Sequence, residues 1–286
     1  MPGNQPASPL RSVESNAPPR VETLISVISL SDAMSRRRVF AESAERQGVR
    51  RAWSFYPART TLSSRLSYDP AHVVVTRGRE IHPRELACYS SHFEAWHSFL
   101  KTNAQQLLVL EDDVQLDWGF VDRVIDRDLA AEGIEYLKLF SKNMTPYSVV
   151  SNAFHGRWLL DCRGFAYGMQ AYILTRPGAR RFVAHCGGLV RRPIDDEMDR
   201  SWAHGIPNLT VFPFPAFEMV GPSTIGADRD QFVSLDVQQR LSRRLYQVQE
   251  RLLRLQQKVT GFGLASALAA YPSRRFGRSH IQHELL

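Results

Sequence analysis

At 286 residues, with 43% hydrophobic and 23% charged side chains, the chain can bury one large core, which excludes collagen-like, disulfide-scaffold and wholly disordered classes. A surplus of 36 Lys+Arg over 29 Asp+Glu leaves a net charge of +7, suited to a polyanionic partner: nucleic acid, an anionic membrane or a phosphorylated substrate. Composition does not choose among these.

The first residues, with Pro2, Pro6, Pro9, Pro18 and Pro19, lack the basic start and apolar stretch of a secretory signal and read as a disordered leader over residues 1–22. A buried strand is predicted at Leu24-Ile25-Ser26-Val27-Ile28-Ser29-Leu30, compact, apolar and β-branched. Asp32 stands as an N-cap for an Arg-rich helix running to about Gln47 and closed by Gly48. Trp53 to Tyr56 reads as a second strand, and His72 to Thr76 as a short one. Pro83 opens a helix carrying Leu86, Tyr89, Phe93, Trp96, His97 and Leu100 at three- and four-residue spacing. Leu107 to Leu110 is an apolar strand running into Glu111-Asp112-Asp113. A helix over Phe120 to Ala130, a strand over Tyr136 to Phe140 and strand character from Phe165 to Thr175 follow. Pro177-Gly178-Ala179 starts a helix to about His185, Pro193 opens another, and Leu209 to Phe212 is a strand before Pro213-Phe214-Pro215. The alternation predicts an α/β domain with a mixed sheet over residues 23–227.

The tail, residues 228–286, differs. Val237, Leu241, Leu245, Val248, Leu252, Leu255 and Val259 form a helical apolar stripe, with Arg240, Arg243, Arg244, Arg251, Arg254 and Lys258 on the other faces. Three readings stay open: a helix lying on anionic lipid, a coiled-coil stripe pairing two subunits as a homodimer, or a stripe packed on the catalytic domain. The lipid surface is preferred, because the charge is one-sided and the apolar stretch Gly261 to Tyr271 follows. The tail holds +5 of the net charge, so the body is nearly neutral and the basicity is no argument for nucleic-acid binding. No run approaches the ~20 apolar residues that span a bilayer. Cys88, Cys162 and Cys186 are too few and scattered for a disulfide framework or a cysteine zinc site, so a reducing, cytosolic setting is expected.

Three carboxylates at a strand end repel one another unless a cation sits among them. In extended chain Glu111 and Asp113 point one way and Asp112 the other, so the pair could share a hard cation such as Mg²⁺ or Mn²⁺; a solvated turn is the plain alternative. A Walker B strand would need a G-x-x-x-x-G-K-[ST] loop, which the sequence lacks. A response-regulator pocket would place its acids after the first strand of a much shorter domain.

Several blocks, taken in order, resemble glycosyltransferase family 25. Val27 to Leu30 followed by Arg36-Arg37-Arg38 is similar to its opening strand and basic helix. Glu85, Cys88, Ser91, His92 and Trp96 match its G-E-I-G-C-x-x-S-H-x-x-x-W block, with Arg84 and Ala87 where the family has glycines. Leu108 to Asp113 is similar to L-x-L-E-D-D, Ala171 to Leu174 with Gly178-Ala179 to its A-Y stretch, and Pro193-Ile194-Asp195 to P-(I/V)-D.

The resemblance implies a GT-A fold, a UDP-hexose donor, a divalent metal (Mn²⁺, or Mg²⁺), inversion, and a lipopolysaccharide or lipooligosaccharide acceptor at the inner face of the cytoplasmic membrane. Glu111, Asp112 and Asp113 would be its metal motif. Asp195 or Asp196, in the first turn of a helix opened by Pro193, would be the base, Asp195 matching the family position. Arg36, Arg37, Arg38, Ser91, His92 and Lys138 are candidate donor contacts, each with a structural alternative: a solvated helix face for the arginines, helix packing for Ser91 and His92, a strand edge for Lys138. Tyr172 and Trp96 read as core. The rival readings are a non-catalytic membrane- or polysaccharide-binding homologue and, further off, a nucleic-acid-binding protein.

Overall fold

The computed structural model describes residues 21–219 and 234–262. Most of the leader, and the tail beyond residue 262 with Arg274, Arg275 and Arg278, lie outside the described residues.

Apolar strands without a polar alternate face must be covered on both sides. Two such strands lie side by side: β1 (Thr23–Ser29) sits between β2 (Ser54–Pro57) and β4 (Gln106–Glu111), parallel to both. The sheet continues through β9 (Ala171–Thr175), β6 (Tyr136–Lys138), β11 (Leu209–Phe212), β8 (Arg157–Cys162) and β7 (Tyr147–Phe154), giving eight strands in the order β2-β1-β4-β9-β6-β11-β8-β7. The β6–β11 pair is parallel, whereas β4–β9, β6–β9, β8–β11 and β7–β8 are antiparallel, so the sheet is mixed. Two small ladders flank it: β3 (Ser67–Tyr68) with β10 (Leu189–Val190), and β5 (Val114–Leu116) with β12 (Ala216–Glu218).

Alternate residues of β1 and β4 feed two cores. Ile25, Val27, Leu108 and Leu110 pack with Phe40 of α1 (Met34–Arg46) and Phe120, Val121 and Val124 of α4 (Trp118–Ile125). Ile28, Leu107 and Val109 pack with Phe93, Trp96 and Phe99 of α3 (Pro83–Leu100) and Phe182 of α5 (Arg176–Cys186). Each such side chain, fully buried, contributes about 1.5–3 kcal/mol. The result is a three-layer α/β/α arrangement.

Local chemistry corrects several expectations. His72 to Thr76 is helical, within α2 (Pro70–Arg77): Asp69 accepts from His72 N at 3.1 Å, Pro70 opens the first turn, and Gly78 closes the helix at φ 82°. Asp32 does not cap α1, whose N-cap is Ala33. The predicted helix from Phe120 begins at Trp118, capped by Asp117, and ends at Ile125. Strand structure in the Phe165 segment is confined to β9. The helix opened by Pro193, α6 (Ile194–Met198), is only 5 residues long; α7 (Ser201–His204) follows.

The tail forms a 26-residue helix, α8 (Val237–Phe262), lying against α2 and α7. It docks by polar residues. Glu250 pairs with Arg200 and accepts from Trp202 Nε1 at 3.1 Å, Tyr246 bonds Arg192, and Arg243 donates to Arg77 O at 3.0 Å. Val237, Leu241, Leu245, Val248, Leu252 and Leu255 of its apolar stripe are exposed, so among the described residues the stripe does not pack on the body that carries the sheet.

Candidate active site

The parallel pairing of β1 with β4 brings their carboxyl ends together, Ile28 opposite Glu111. The chain leaves β1 toward β2 on one side and returns through α3 to β4 on the other, and in open α/β sheets such divergence opens a crevice at the strand ends. The acidic cluster stands at this crevice.

Its three carboxylates have separate surroundings. Asp112 is buried, accepting from Ser29 Oγ at 2.6 Å and paired with the Arg36 guanidinium. Although a metal candidate by sequence, it is committed to an internal clamp between β1, α1 and β4. Residues 112 and 113 form a turn, so Asp113 does not point away from Asp112 as extended chain would have it: both carboxylates meet Arg36. Asp113 Oδ2 lies 3.0 Å from Arg36, and its buried Oδ1 has no hydrogen-bond partner among the described residues. Burial, then the Glu111 carboxylate, push Asp113 up to about 7 despite Arg36. Glu111 is half-buried, with Oε1 at 3.5 Å from His92 Nε2. Burial raises its pKa, but His92, Lys142 and Arg36 together outweigh this and bring it below the ordinary carboxylate value.

His92 is itself oriented. Trp96 Nε1 donates to Tyr172 Oη at 2.8 Å, and that hydroxyl lies 3.0 Å from His92 Nδ1. Buried Nε2 faces Glu111 Oε1 at 3.5 Å and has no hydrogen-bond partner among the described residues. Cys88, His92 and Glu111 are the one trio of ligand-type residues, among those described, whose donor atoms lie within 4.8 Å of one another.

Lys142 marks the cleft's breadth: it favours the charged form of both Glu111 and Asp195 and lies 3.5 Å from Glu218, itself close enough to raise Asp113. Asp195 is half-buried and its pKa is raised, first by burial and then by Asp199, with Lys138 and Lys142 opposing. Asp196 is buried and clamped by Arg77, so its carboxylate does not serve the cleft.

Four other assignments change. Lys138 is no phosphate contact: its side chain is 0% exposed, donating to Asp199 Oδ1 at 3.0 Å and Tyr167 O at 2.7 Å. Arg38 faces solvent near Glu42, 3.8 Å away. Arg37 grips the end of β1, donating from Nε to Ser29 Oγ at 3.0 Å and lying over Phe55. Buried Ser91 accepts from Arg59 N at 2.8 Å and donates to Ala87 O at 2.8 Å, fixing the loop after β2.

Sequence reasoning missed Lys142, Tyr167 and Asp199, and placed Arg36 no higher than its neighbours. Asp199 accepts from Tyr167 N at 2.6 Å, holding Tyr167 at φ 53°, a left-handed conformation that costs a bulky residue free energy. A positive φ at a tyrosine leaves no mark in the sequence; the signal available for Asp199 was its place one helical turn beyond Asp195.

Residues 23–198 match the family described as Glycosyltransferase family 25 (LPS biosynthesis protein). Among curated relatives, the human "Inactive glycosyltransferase 25 family member 3" is 30% identical over 111 residues, 37% of this chain and 18% of the relative. The rat "Probable inactive glycosyltransferase 25 family member 3" is 27% identical over 168 residues, 55% of this chain and 29% of the relative. The chain therefore matches less than a third of the length of either. Among solved structures, a glycosyltransferase involved in the glycosylation of the major capsid of PBCV-1 aligns with a TM-score of 0.30 at 10% identity, over 63% of this chain and 73% of that chain. With the family match spanning more than half of the sequence, including Glu111, Asp112, Asp113 and Asp195, the chain belongs to glycosyltransferase family 25.

Proposed function

We propose that the chain is a metal-dependent glycosyltransferase of GT-A-like architecture, moving a hexose (galactose or glucose) from a UDP-sugar to a hydroxyl of a lipopolysaccharide, lipooligosaccharide or other glycan, with inversion. It would work in the cytoplasm at the inner face of the cytoplasmic membrane. The observation that carries this reading is Asp113: a buried carboxylate oxygen without a hydrogen-bond partner among the described residues, beside the Glu111 carboxylate. An orphaned oxygen among repelling carboxylates fits a hard dication, so Glu111 and Asp113 would hold Mn²⁺ or Mg²⁺. When bound, the metal supplies Lewis-acid stabilisation and a template for the donor diphosphate.

The chain's own residues have distinct tasks. The line from Trp96 through Tyr172 fixes His92 beside Glu111. Arg36, fixed against Asp112, would present remaining donors to the diphosphate oxygens. Asp195 would take the proton of the acceptor hydroxyl, its raised pKa giving it more proton affinity than a solvated aspartate. Asp196 and Arg77 hold the short helix that carries Asp195. Lys138 and Asp199 set Tyr167 at the edge of the cleft.

A second reading, a non-catalytic membrane- or polysaccharide-binding homologue of the same fold, draws on the names of the mammalian relatives, inactive for the human protein and probable inactive for the rat one. UDP release from a panel of UDP-sugars with Mn²⁺ separates the two. The catalytic reading expects release that Asp195→Asn lowers by roughly 10²–10⁴-fold in kcat with little change in donor KM, while Asp196→Asn lowers stability first. Donor binding by calorimetry without release from any sugar would establish the non-catalytic homologue. Full activity in Asp195→Asn would remove Asp195 as the base.

A further inference from the structure

The orientation of α8 runs against the ordinary rule that a terminal amphipathic helix buries its apolar stripe. Val237, Leu241, Leu245, Val248, Leu252 and Leu255 are between 49% and 78% exposed. The residues that meet the body, Arg243, Tyr246, Glu250 and Gln257, lie roughly half a turn of the helix away. The docking is specific: Arg200 is held by both Glu197 and Glu250, and Arg254 lies over Phe165 and Trp202. Arg243 and Arg254, assigned by sequence to a membrane surface, are docking residues instead. The Lys258 side chain lies outside the described residues. Arg240, Arg244 and Arg251 are exposed and form a row along one flank of the stripe; Gln249 and Gln256 line the other.

We propose that this outward face is a docking surface for an anionic phospholipid membrane. Charge complementarity selects this occupant. A second copy packed along the stripe would bring Arg244 and Arg251 against Ser242, Gln249 and Gln256 if parallel, or against themselves if antiparallel, with no acid to meet them. Residues 263–286 carry Arg274, Arg275 and Arg278 against Glu284 alone, so they too bring no complement. A lipid surface satisfies both halves of the pattern: the stripe sinks into the boundary between headgroups and acyl chains, and the arginines meet phosphate. No helix among the described residues is long and apolar enough to cross a membrane, in keeping with a helix lying in its plane. This inference is independent of glycosyl transfer.

The test is flotation of the full chain with vesicles of phosphatidylglycerol and phosphatidylcholine, and with pure phosphatidylcholine vesicles. Binding is expected to the anionic vesicles and to weaken with salt. Leu245→Asp with Leu252→Asp should abolish it. The triple change Arg240→Gln, Arg244→Gln and Arg251→Gln should weaken it roughly hundredfold. Both variants should melt like wild type, because the altered side chains face away from the body. Equal binding to pure phosphatidylcholine, undiminished binding by the Asp variant, or a dimer that Leu245→Asp dissociates without any vesicle binding would overturn the proposal. A lowered Tm in the Asp variant would also overturn it, by showing the stripe packed inward.

Discussion

Burial and the Glu111 carboxylate push Asp113 up to about 7 from an ordinary value of 3.8, so its ionisation weakens the fold. The sign follows directly. With the folded value raised, the protonated group's stabilising contribution is complete below 3.8 and is lost as the pH rises through about 7. Asp113→Asn should therefore be more stable than wild type in metal-free buffer, and the gain at about pH 8 should exceed that at about pH 5 by on the order of 2 kcal/mol. Urea unfolding at the two pH values checks this; an equal gain at both would show that Asp113 is not destabilised by its charge. Added Mn²⁺ should stabilise the wild type and leave the variant unmoved. The sequence shows the acidic cluster but not how its members divide. Asp112 is fixed by Ser29, distant along the chain, and by Arg36, whose neighbours Arg37 and Arg38 look equivalent in sequence yet point elsewhere. The same holds for Lys138, where nothing short of the sheet's layering distinguishes a strand-edge lysine from one buried against Asp199.

At the scale of elements, α8 is tied to the body through few but deeply placed contacts. Glu250 answers buried Arg200 and accepts from Trp202, and removing it leaves Arg200 to Glu197 alone and the Trp202 N–H without this acceptor. Glu250→Ala should cost about 3 kcal/mol and expose α8 to early cleavage in limited proteolysis, ahead of the sheet. Wild-type cleavage kinetics in the variant would mean that α8 docks without this pair. The helix also reaches the cleft: Arg243 donates to Arg77 O, Arg77 clamps Asp196, and Asp196 N donates to Asp195 Oδ1 at 3.0 Å. The helical period of α8 is plain in the sequence, but which face docks is not. That choice depends on Arg192, Arg200 and Trp202 gathered from α7 and its approach. For α2, the β-branched run Val73-Val74-Val75 favours a strand on propensity alone, and the Asp69 cap with Gly78 at the other end outweighs it. Strands β7 and β8 are hidden for the opposite reason. Their turn, His155-Gly156, has both residues at positive φ, and the Ser- and Asn-containing β7 at the sheet's edge has little apolar patterning to betray it.

Across the whole molecule, the buried strands and helices near the sheet's middle are legible because both faces of β1 and β4 must be apolar, whereas the ion network joining α5, α6, α7 and α8 is not, since each charge is ordinary until its partner arrives. That network also governs the response to acid. His204 donates from Nε2 to Met198 O at 3.0 Å and accepts from Ile206 N at 3.1 Å on Nδ1, so the neutral ring is satisfied on both sides and a second proton would face an N–H. Burial, then neighbouring His185, lower its pKa to about 3 from 6.5. Glu197, held by His185, Arg192 and Arg200, overcomes its own burial and falls to about 2 from 4.5. Both folded values are depressed, so both contributions are complete above the ordinary values and drain away as pH falls. Their windows differ: the His204 contribution declines from 6.5 downward, while that of Glu197 holds until 4.5 and is lost on the way to about 2. Between these two ordinary values, then, His204 alone of the pair makes stability fall, by about 2 kcal/mol after allowing for its partial exposure. His204→Gln keeps an amide donor and acceptor but does not titrate, so it should flatten the stability profile over that interval while leaving the steeper loss at lower pH in place. Denaturant unfolding across the interval would decide it: a variant with the wild-type slope would place the acid sensitivity in some group other than His204.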